Sequence, residues 1–245
     1  VFRNPLAGPS VLGISSGASM GVAFVVLLSG SLGGVALSKL GFMGEIALSI
    51  AAVIGSLSVM ALIVYVSQKV KGNVTLLIIG VMIGYVANAV IGVLKFFSVE
   101  EDIRAYVIWG LGSFARVSGN QMTLFVILMT ILIPLSFLLI KTMNLMLLGD
   151  SYARNLGLNI KRARLLVITS AGVLTAIVTA YCGPIIFLGL AVPHLCRAIF
   201  QTSDHRILMP AVLFAGAALA LICNLIARMP GVSRGAFTCQ LGNRF

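Results

Sequence analysis

Few residues in this chain of 245 residues have side chains that could carry out chemistry. The two histidines, His194 and His205, have no cluster of carboxylates around them, and the sequence contains neither a G-x-x-x-x-G-K-[ST] phosphate loop nor an H-E-x-x-H zinc motif. The four cysteines are separated by 14, 27 and 16 residues without a C-x-x-C pair, which predicts neither a zinc site nor a disulfide framework. We therefore predict no catalytic centre, no metal site and no cofactor, and expect any ATP hydrolysis on a separate chain.

The longest charged interval covers residues 141–164 and interrupts an otherwise apolar sequence. Within it, Gly149 stands where a helix would start and Gly157 where it would stop. The short helix between them carries Tyr152 and Leu156, which are four residues apart and therefore share a face. These side chains predict a surface that contacts a partner. The alternative is a helix that packs on the rim of its own protein.

The elements that hold this interval are predicted to be membrane helices. Hydrophobic residues make up 60% of the chain and charged residues 9%, whereas soluble domains have roughly 45–50% and about 25%. A net charge of +11 would suggest nucleic acid as the partner of a soluble protein. Membrane topology explains the charge better, so we predict contact with membrane lipid and no nucleic-acid partner. The predicted fold class is all-α, a polytopic transmembrane helical bundle.

Seven apolar runs are predicted to be membrane helices, and each but the sixth is close to the length needed to cross a bilayer, about 20 residues. They cover residues 11–29, 43–67, 74–97, 119–140, 164–182, 184–200 and 207–228. Gly183-Pro184 separates the fifth run from the sixth, which predicts a tight hairpin or a broken helix.

Lysine and arginine are distributed unevenly between alternate connections of these runs. Ten of the 17 lie on the side that holds residues 141–164, and four of the six acids lie on the other side. The positive-inside rule therefore places residues 141–164 in the cytoplasm. A secondary transporter driven by an intramembrane carboxylate is the alternative function, but no acid falls near a predicted membrane centre. A membrane-bound enzyme would lack any catalytic cluster.

Small residues recur every four positions in the first and third runs. These stripes contain Gly13, Gly17 and Gly21 in the first run, and Gly80, Gly84, Asn88 and Gly92 in the third. Such stripes let helix backbones approach closely in lipid, so both helices are predicted to face the bundle. Asn88 is a strongly polar side chain at mid-membrane depth, and it either bonds a neighbouring helix or faces a polar pathway.

Residues 98–113 predict a short helix at the outer surface. Ser98 and Glu101 have the spacing of a capping box, with acids in the first turn. The predicted apolar face consists of Ile103, Val107 and Leu111. Tyr106 and Trp109 suit the membrane interface, so an interfacial anchor is the simpler interpretation and a pathway-lining helix is the alternative.

Three stretches resemble the permease subunits of ABC importers for iron-siderophores, haem and cobalamin, the FecCD-type family. They are NPLAGPSVLGISSGASMG, LMLLGDSYARNLGLNIKRAR and GPIIFLGLAVPHLCRAIFQTSDHRILMPAVLFAGAAL, and the resemblance extends from residue 4 to about residue 229. It implies a permease of ten helices in the bacterial cytoplasmic (inner) membrane, paired with a second copy or a paralogue around a central pathway. The implied partners are ATP-binding cassette ATPase subunits and a periplasmic or lipid-anchored substrate-binding protein. The implied cargo is an iron complex, a ferric siderophore first, then haem or cobalamin.

The resemblance also implies roles for individual residues. Residues 141–164 match the cytoplasmic coupling loop of the family, which implies ATPase contacts from Gly149, Asp150, Tyr152, Ala153, Arg154, Leu156 and Gly157. The third run matches an element beside the pathway, which implies pathway positions for Asn88, Gly84 and Gly92. Arg228 matches an outer position that can dock the binding protein, although the acid usually found four residues earlier is Asn224 here.

Relative to the family pattern, residues 1–245 are expected to form a single permease domain that is incomplete. The first helix and nearly all of the second are expected to be missing. Residues 230–245 contain no apolar run where a last membrane helix would stand, so we expect an atypical tail outside the membrane. On this basis the chain alone is not expected to transport.

Overall fold

The computed structural model describes residues 13–31, 42–69, 73–113, 117, 120–185 and 188–227. Within these ranges the chain forms ten helices and no strand, which confirms the all-α prediction. The helices are α1 (Ile14–Ser31), α2 (Phe42–Lys69), α3 (Asn73–Phe96), α4 (Glu100–Gly110), α5 (Asn120–Phe137), α6 (Ile140–Leu147), α7 (Asp150–Asn155), α8 (Ile160–Cys182), α9 (Leu188–Phe200) and α10 (His205–Ala227).

All seven predicted apolar runs correspond to helices, but they are not all long enough to span a membrane. In the described part of the chain, α2, α3, α8 and α10 qualify by length and apolar composition, and α5 with α6 gives a fifth candidate as a bent pair. The apolar stretches Ile14–Leu28 in α1 and Leu188–Phe200 in α9 are shorter. The described residues therefore provide four or five candidate spans rather than seven.

A bend of 42° separates α5 from α6, inside the region predicted to end one straight span. Pro134 lies in the last turn of α5, where it has no backbone N–H to donate. Ser136 Oγ donates to the carbonyl oxygen of Ile133 at 2.6 Å, and this side-chain bond competes with the helical ladder. The proline and the serine together give a physical cause for the bend. The chain continues as α6 where the sequence predicted the start of a loop.

α1 is the central helix of the first of two compact units, which covers residues 1–186. It packs against α2, α3, α4 and α8. Its buried side chains join a core with residues of α4 and α8; the α1 members are Ala18, Val22, Ala23, Val26 and Leu27. Any side chain that α4 buries must therefore fit against α1.

α1 and α2 cross with their backbones in direct contact. A Cβ atom placed on Gly17 would lie 2.6 Å from the carbonyl oxygen of Gly55, and one placed on Gly55 would lie 3.1 Å from the Cα of Gly21. These distances leave no room for a side chain, because the opposing atoms belong to a helix backbone. The α1 glycine stripe is confirmed as a packing surface. Its partner Gly55 was not predicted.

The orientation of α4 differs from the prediction. Its buried residues are Asp102, Tyr106 and Trp109, whereas Val107 is 46% and Leu111 77% exposed. The predicted apolar face was therefore wrong for Val107 and Leu111, whereas Ile103 is partly buried and packs against the core. Burying two aromatic rings removes more apolar surface than burying the aliphatic side chains would, and the rings have partners in the core formed with α1 and α8.

Ser98 does not cap α4 as predicted. The N-cap residue is Val99, and it makes no side-chain capping bond. Ser98 Oγ instead donates to the carbonyl oxygens of Leu94 at 2.6 Å and of Leu27 at 3.1 Å. The serine thereby ties the α3–α4 corner to α1 instead of stabilising the first turn of α4.

The opposite end of α4 contacts the end of α8 through the backbone. Ser113 N–H donates to the carbonyl oxygen of Cys182 at 2.7 Å. Gly183 has φ +80°, and a Cβ atom there would lie 2.8 Å from the Cα of Gly112. The predicted break at Gly183-Pro184 is therefore confirmed, and its glycine is required both by the left-handed backbone and by this close approach.

The second compact unit contains α9 and α10. Val192, Cys196 and Leu208 form its buried core. Asp204 begins α10, because its Oδ1 accepts a hydrogen bond from Arg206 N–H at 2.8 Å. Its carbonyl oxygen accepts from Leu208 N–H at 2.9 Å. This aspartate therefore caps the helix.

Candidate docking and pathway sites

The charged interval 141–164 folds into α6, α7 and the first turn of α8. Gly149 precedes α7 with φ +97°, a conformation that favours glycine. At the other end Gly157 has φ +84°, its N–H donates to Arg154 O at 2.9 Å, and Leu158 N–H donates to Ala153 O at 3.0 Å. This pair of bonds is a Schellman motif. The helix start and stop predicted from the two glycines are both confirmed.

α7 contains a fully buried residue, and two exposed apolar residues lie in it and at its C-cap. Ala153 is 0% exposed, whereas Tyr152 is 70% and Leu156 60% exposed. The buried alanine holds the helix against the protein, and the tyrosine and leucine point away from it. Leu147 and Leu148, just before α7, are also exposed. We call these four exposed side chains, Leu147, Leu148, Tyr152 and Leu156, the α7 surface.

α8 begins directly after α7 and carries basic residues next to the α7 surface. Its N-cap is Asn159, whose Oδ1 accepts from Arg162 N–H at 3.2 Å. Lys161 and Arg162 are exposed, while Ala163 is buried. Exposed basic side chains therefore follow the α7 surface closely in the chain, on the side of the bundle predicted to be cytoplasmic.

Among the predicted ATPase contacts, the structure separates outward from inward positions. Tyr152, Arg154 and Leu156 are exposed, so each is accessible to a partner. Ala153 is buried, so it can only position α7. Gly149 and Gly157 set the ends of the helix. Asp150 is the first residue of α7.

A cleft of about 200 Å³ lies between the start of α1 and the middle of α3, and we call it the α1–α3 cleft. It is lined by Gly13, Ser16, Gly80, Val81, Gly84, Tyr85 and Asn88. Two predicted pathway residues, Gly84 and Asn88, thus come together with Ser16 and Tyr85, which the sequence analysis missed. Their hydroxyl groups lie in predicted membrane helices, and that placement is the signal that could have identified them.

The third predicted pathway residue, Gly92, lies on α3 outside this cleft. A Cβ atom there would meet nothing within 4 Å. The Asn88 side chain is exposed, and within the described residues it makes no hydrogen bond to a neighbouring helix. The pathway and the helix contact both remain predictions for Asn88. Arg228, the predicted docking residue, and the predicted tail 230–245 lie outside the described residues.

Residues 1–242 match the family model of the FecCD transport family. The chain belongs to the FecCD transport family. This finding confirms the resemblance seen in the three sequence stretches. The FecCD match also covers all ten helices, including α6, α7 and the α1–α3 cleft.

Two relatives in the FecCD family are named for what they transport. The chain is 34% identical over 232 residues to the hemin transport system permease protein HmuU of Yersinia pestis, covering 93% of this chain and 66% of HmuU. It is 33% identical to the vitamin B12 import system permease protein BtuC of Klebsiella pneumoniae, covering 94% of this chain and 66% of BtuC. The chain thus spans just under two thirds of the length of each of these relatives.

A solved structure has the same fold as this FecCD chain. It is described as an inward-facing conformation of an ABC transporter of the metal-chelate type, with a TM-score of 0.77 and 29% sequence identity. The match covers 93% of this chain and 69% of that chain. The helical bundle described above is therefore a FecCD permease fold.

The predicted orientation can be tested by labelling single cysteines in the full-length protein with the four native cysteines removed. Ser151 and Ser203 are exposed positions predicted to be cytoplasmic, and Glu101 is an exposed position predicted to be outside. A membrane-impermeant thiol reagent is expected to label a cysteine at Glu101 in intact cells and cysteines at Ser151 and Ser203 only in inverted vesicles. Labelling at Ser151 in intact cells would reverse the assigned orientation.

Proposed function

We propose that this chain is the membrane-spanning subunit of an ATP-driven importer in the bacterial inner membrane. The observation that carries the proposal is the α7 surface, where exposed Tyr152 and Leu156 project from a helix anchored by buried Ala153. Two apolar side chains on one rigid helix can enter a groove on a partner together. The membership of the FecCD family and the relatives named as import permeases support an ATPase as that partner.

The proposed cargo is a metal held in an organic chelate. HmuU is named for hemin, BtuC for vitamin B12, and the solved structure is described as being of the metal-chelate type. The ferric siderophore expected from the family resemblance remains a prediction beside haem and cobalamin. A substrate-binding protein outside and a second permease copy or paralogue are the further proposed partners. Arg228 remains the predicted docking residue for the binding protein.

The proposed pathway follows the side of α3 that carries Asn88 and Gly92. Asn88 offers both a hydrogen-bond donor and an acceptor without charge. Within the described residues, α3 carries no charged side chain before Lys95. A cargo molecule passing this helix would therefore meet apolar and neutral polar groups, which do not hold a charged chelate tightly and so allow its release.

Gly92→Phe tests the pathway. Since a Cβ atom at this position meets nothing within 4 Å, the phenylalanine is expected to leave folding and ATPase binding intact. If α3 borders the pathway, the ring should obstruct it and reduce cargo uptake to background. Gly189→Phe is the matched control, because Gly189 is a helical glycine in α9 whose added Cβ atom also meets nothing within 4 Å.

The measurement is ATP-dependent uptake by the full-length permease with its ATPase and binding protein in proteoliposomes. Radiolabelled haemin, cobalamin and a ferric siderophore are offered separately, and the cargo taken up identifies the substrate class. Normal uptake by a correctly folded Gly92→Phe protein would contradict the pathway assignment. ATP-independent uptake driven by a proton gradient would instead support a secondary transporter.

A further inference from the structure

Asp102 is a buried carboxyl group in the first turn of α4. The residue is 5% exposed. Within the described residues, its Oδ2 atom has no hydrogen-bond partner. A buried ionised carboxylate without a partner is strongly unfavourable. Such a group therefore either takes up a proton or acquires a counter-ion. The arrangement in the structure suits the protonated, neutral carboxyl group.

Within the described residues, few charged groups belong to the helices that pack around Asp102. α1, on which α4 packs, contains no titratable side chain between Ile14 and Ser31. Lys95, at the end of α3, has its Nζ 4.8 Å from the centre of the Tyr106 ring, and Tyr106 is one turn beyond Asp102 on the same face of α4. Other titratable groups in these helices are the exposed Glu100, Glu101 and Arg104 on α4 itself, and Tyr181 and Cys182 of α8, which lie in the core that holds Tyr106 and Trp109.

Three further contacts that hold α4 and its flanking residues do not involve Asp102. The Tyr106 hydroxyl group is hydrogen-bonded to Ser19 on α1, Ser98 Oγ donates to Leu27 O, and Ser113 N–H donates to Cys182 O. In the first turn of α4, by contrast, the buried side chain is one whose charge can change. Burial raises the pKa of the Asp102 carboxyl group, and the neighbouring Glu101 carboxylate raises it further.

We infer that Asp102 is a proton switch for the docking of α4 on α1, and that Lys95 is its counter-ion when the proton is lost. With the proton bound, the neutral carboxyl group lies against α1 and the Lys95 ammonium group lies on the Tyr106 ring. When the proton leaves to bulk water, the carboxylate attracts the ammonium group away from the ring. α4, a single helix of 11 residues, then tilts so that its first turn moves towards water, where the new ion pair is solvated, and Trp109 in its last turn loses part of its packing.

The direction of the pH dependence follows from the raised pKa. Docking is fully favoured below the ordinary pKa of an aspartate, about 3.9, because the carboxyl group is neutral both docked and undocked. Docking weakens as the pH rises from there through the raised pKa of the docked state, since the undocked carboxyl group loses its proton first. Above the raised pKa of the docked state, the contribution of the neutral carboxyl group to docking is lost completely.

Trp109 provides a built-in probe, because it is the only tryptophan among the 245 residues and lies on the same buried face of α4 as Asp102. The experiment uses the full-length permease in lipid nanodiscs, with any tryptophan outside residues 1–245 replaced by phenylalanine. Tryptophan emission is recorded between about pH 4 and about pH 9, a range that covers the raised pKa values of buried acids. The wild-type emission is expected to shift reversibly to the red as the pH rises.

Three variants separate the switch from a structural role. Asp102→Asn is expected to stay docked with a pH-independent emission maximum. Lys95→Gln is expected to raise the midpoint by about one pH unit, because the carboxylate loses its counter-ion. Glu101→Gln is the matched control on the exposed side and should lower the midpoint slightly while keeping the transition.

A wild-type emission maximum that does not change with pH would overturn the inference. So would a transition that persists unchanged in Asp102→Asn, because another group would then be titrating. If Asp102→Asn fails to fold, a midpoint unchanged in Lys95→Gln also counts against the assigned counter-ion.

Discussion

Gly55→Leu is expected to abolish the folded permease. The residue lies where α1 and α2 touch backbone to backbone, and a Cβ atom there would contact the Gly17 carbonyl oxygen and come within 3.1 Å of the Gly21 Cα. Overpacking a well-packed core generally costs about 1–3 kcal/mol. Here the cost should be at the upper end for alanine and larger for leucine, because helix backbones cannot rotate away as side chains can.

The effect is measured by the yield and thermal stability of the full-length protein on a detergent size-exclusion column. Gly92→Leu is the matched control, since it introduces the same side chain into a membrane helix where a Cβ atom meets nothing within 4 Å. The control should elute normally, and Gly55→Ala should elute with a lowered melting temperature. A Gly55→Leu protein as stable as the wild type would show that α1 and α2 do not cross at these glycines.

Tyr152→Asp combined with Leu156→Asp is expected to abolish ATPase co-purification and cargo uptake while the permease remains folded. Both side chains are exposed, so aspartate at these positions buries no charge within the permease. In an interface with the proposed ATPase, however, each would leave a desolvated charge opposite an apolar groove. Losing a central apolar anchor costs about 2 kcal/mol or more, roughly a thirtyfold weaker complex for each residue.

Ser151→Asp with Asn155→Asp is the matched control for the double variant. These residues are also four apart on α7 and exposed, but they occupy a different face and are polar already. The control adds the same charge and should retain the ATPase. Arg154→Ala should weaken binding less than the aspartate pair does, since exposed charges contribute little. Normal ATPase pull-down by a normally folded Tyr152→Asp, Leu156→Asp protein would reject the docking role of α7.

The short helix α7 could be predicted from sequence because its determinants are local. A glycine at each end sets the backbone conformation, and the spacing of Tyr152 and Leu156 gives their shared face. The positions of the apolar helices were likewise visible from composition alone. The number of candidate spans was not, since within the described residues the apolar stretches of α1 and α9 are shorter than the predicted runs.

Features that depend on which helix lies opposite could not be predicted. Gly55 continues a four-residue row of small residues with Ala47 and Ala51, but the row does not reveal which helix lies opposite, so its partnership with Gly17 and Gly21 became visible only in the crossing. The face of α4 was predicted from aliphatic spacing, but the pocket beside α1 and α8 accepts Tyr106 and Trp109 instead. Because Asp102 lies on the same face of α4 as these two rings, its carboxyl group is buried as well, although aspartate side chains are usually exposed to water.

The contact between Gly112 and Gly183 makes α8 a rigid connection between the region of α7 and the end of α4. α8 is one continuous helix of 23 residues, about 34 Å long at 1.5 Å per residue. Four residues separate its start from the end of α7, and it ends where its backbone touches the end of α4. A continuous helix held at its far end by a backbone contact yields less to an axial push than a chain of flexible side-chain contacts would. We therefore expect a displacement of α7 along this axis to reach α4.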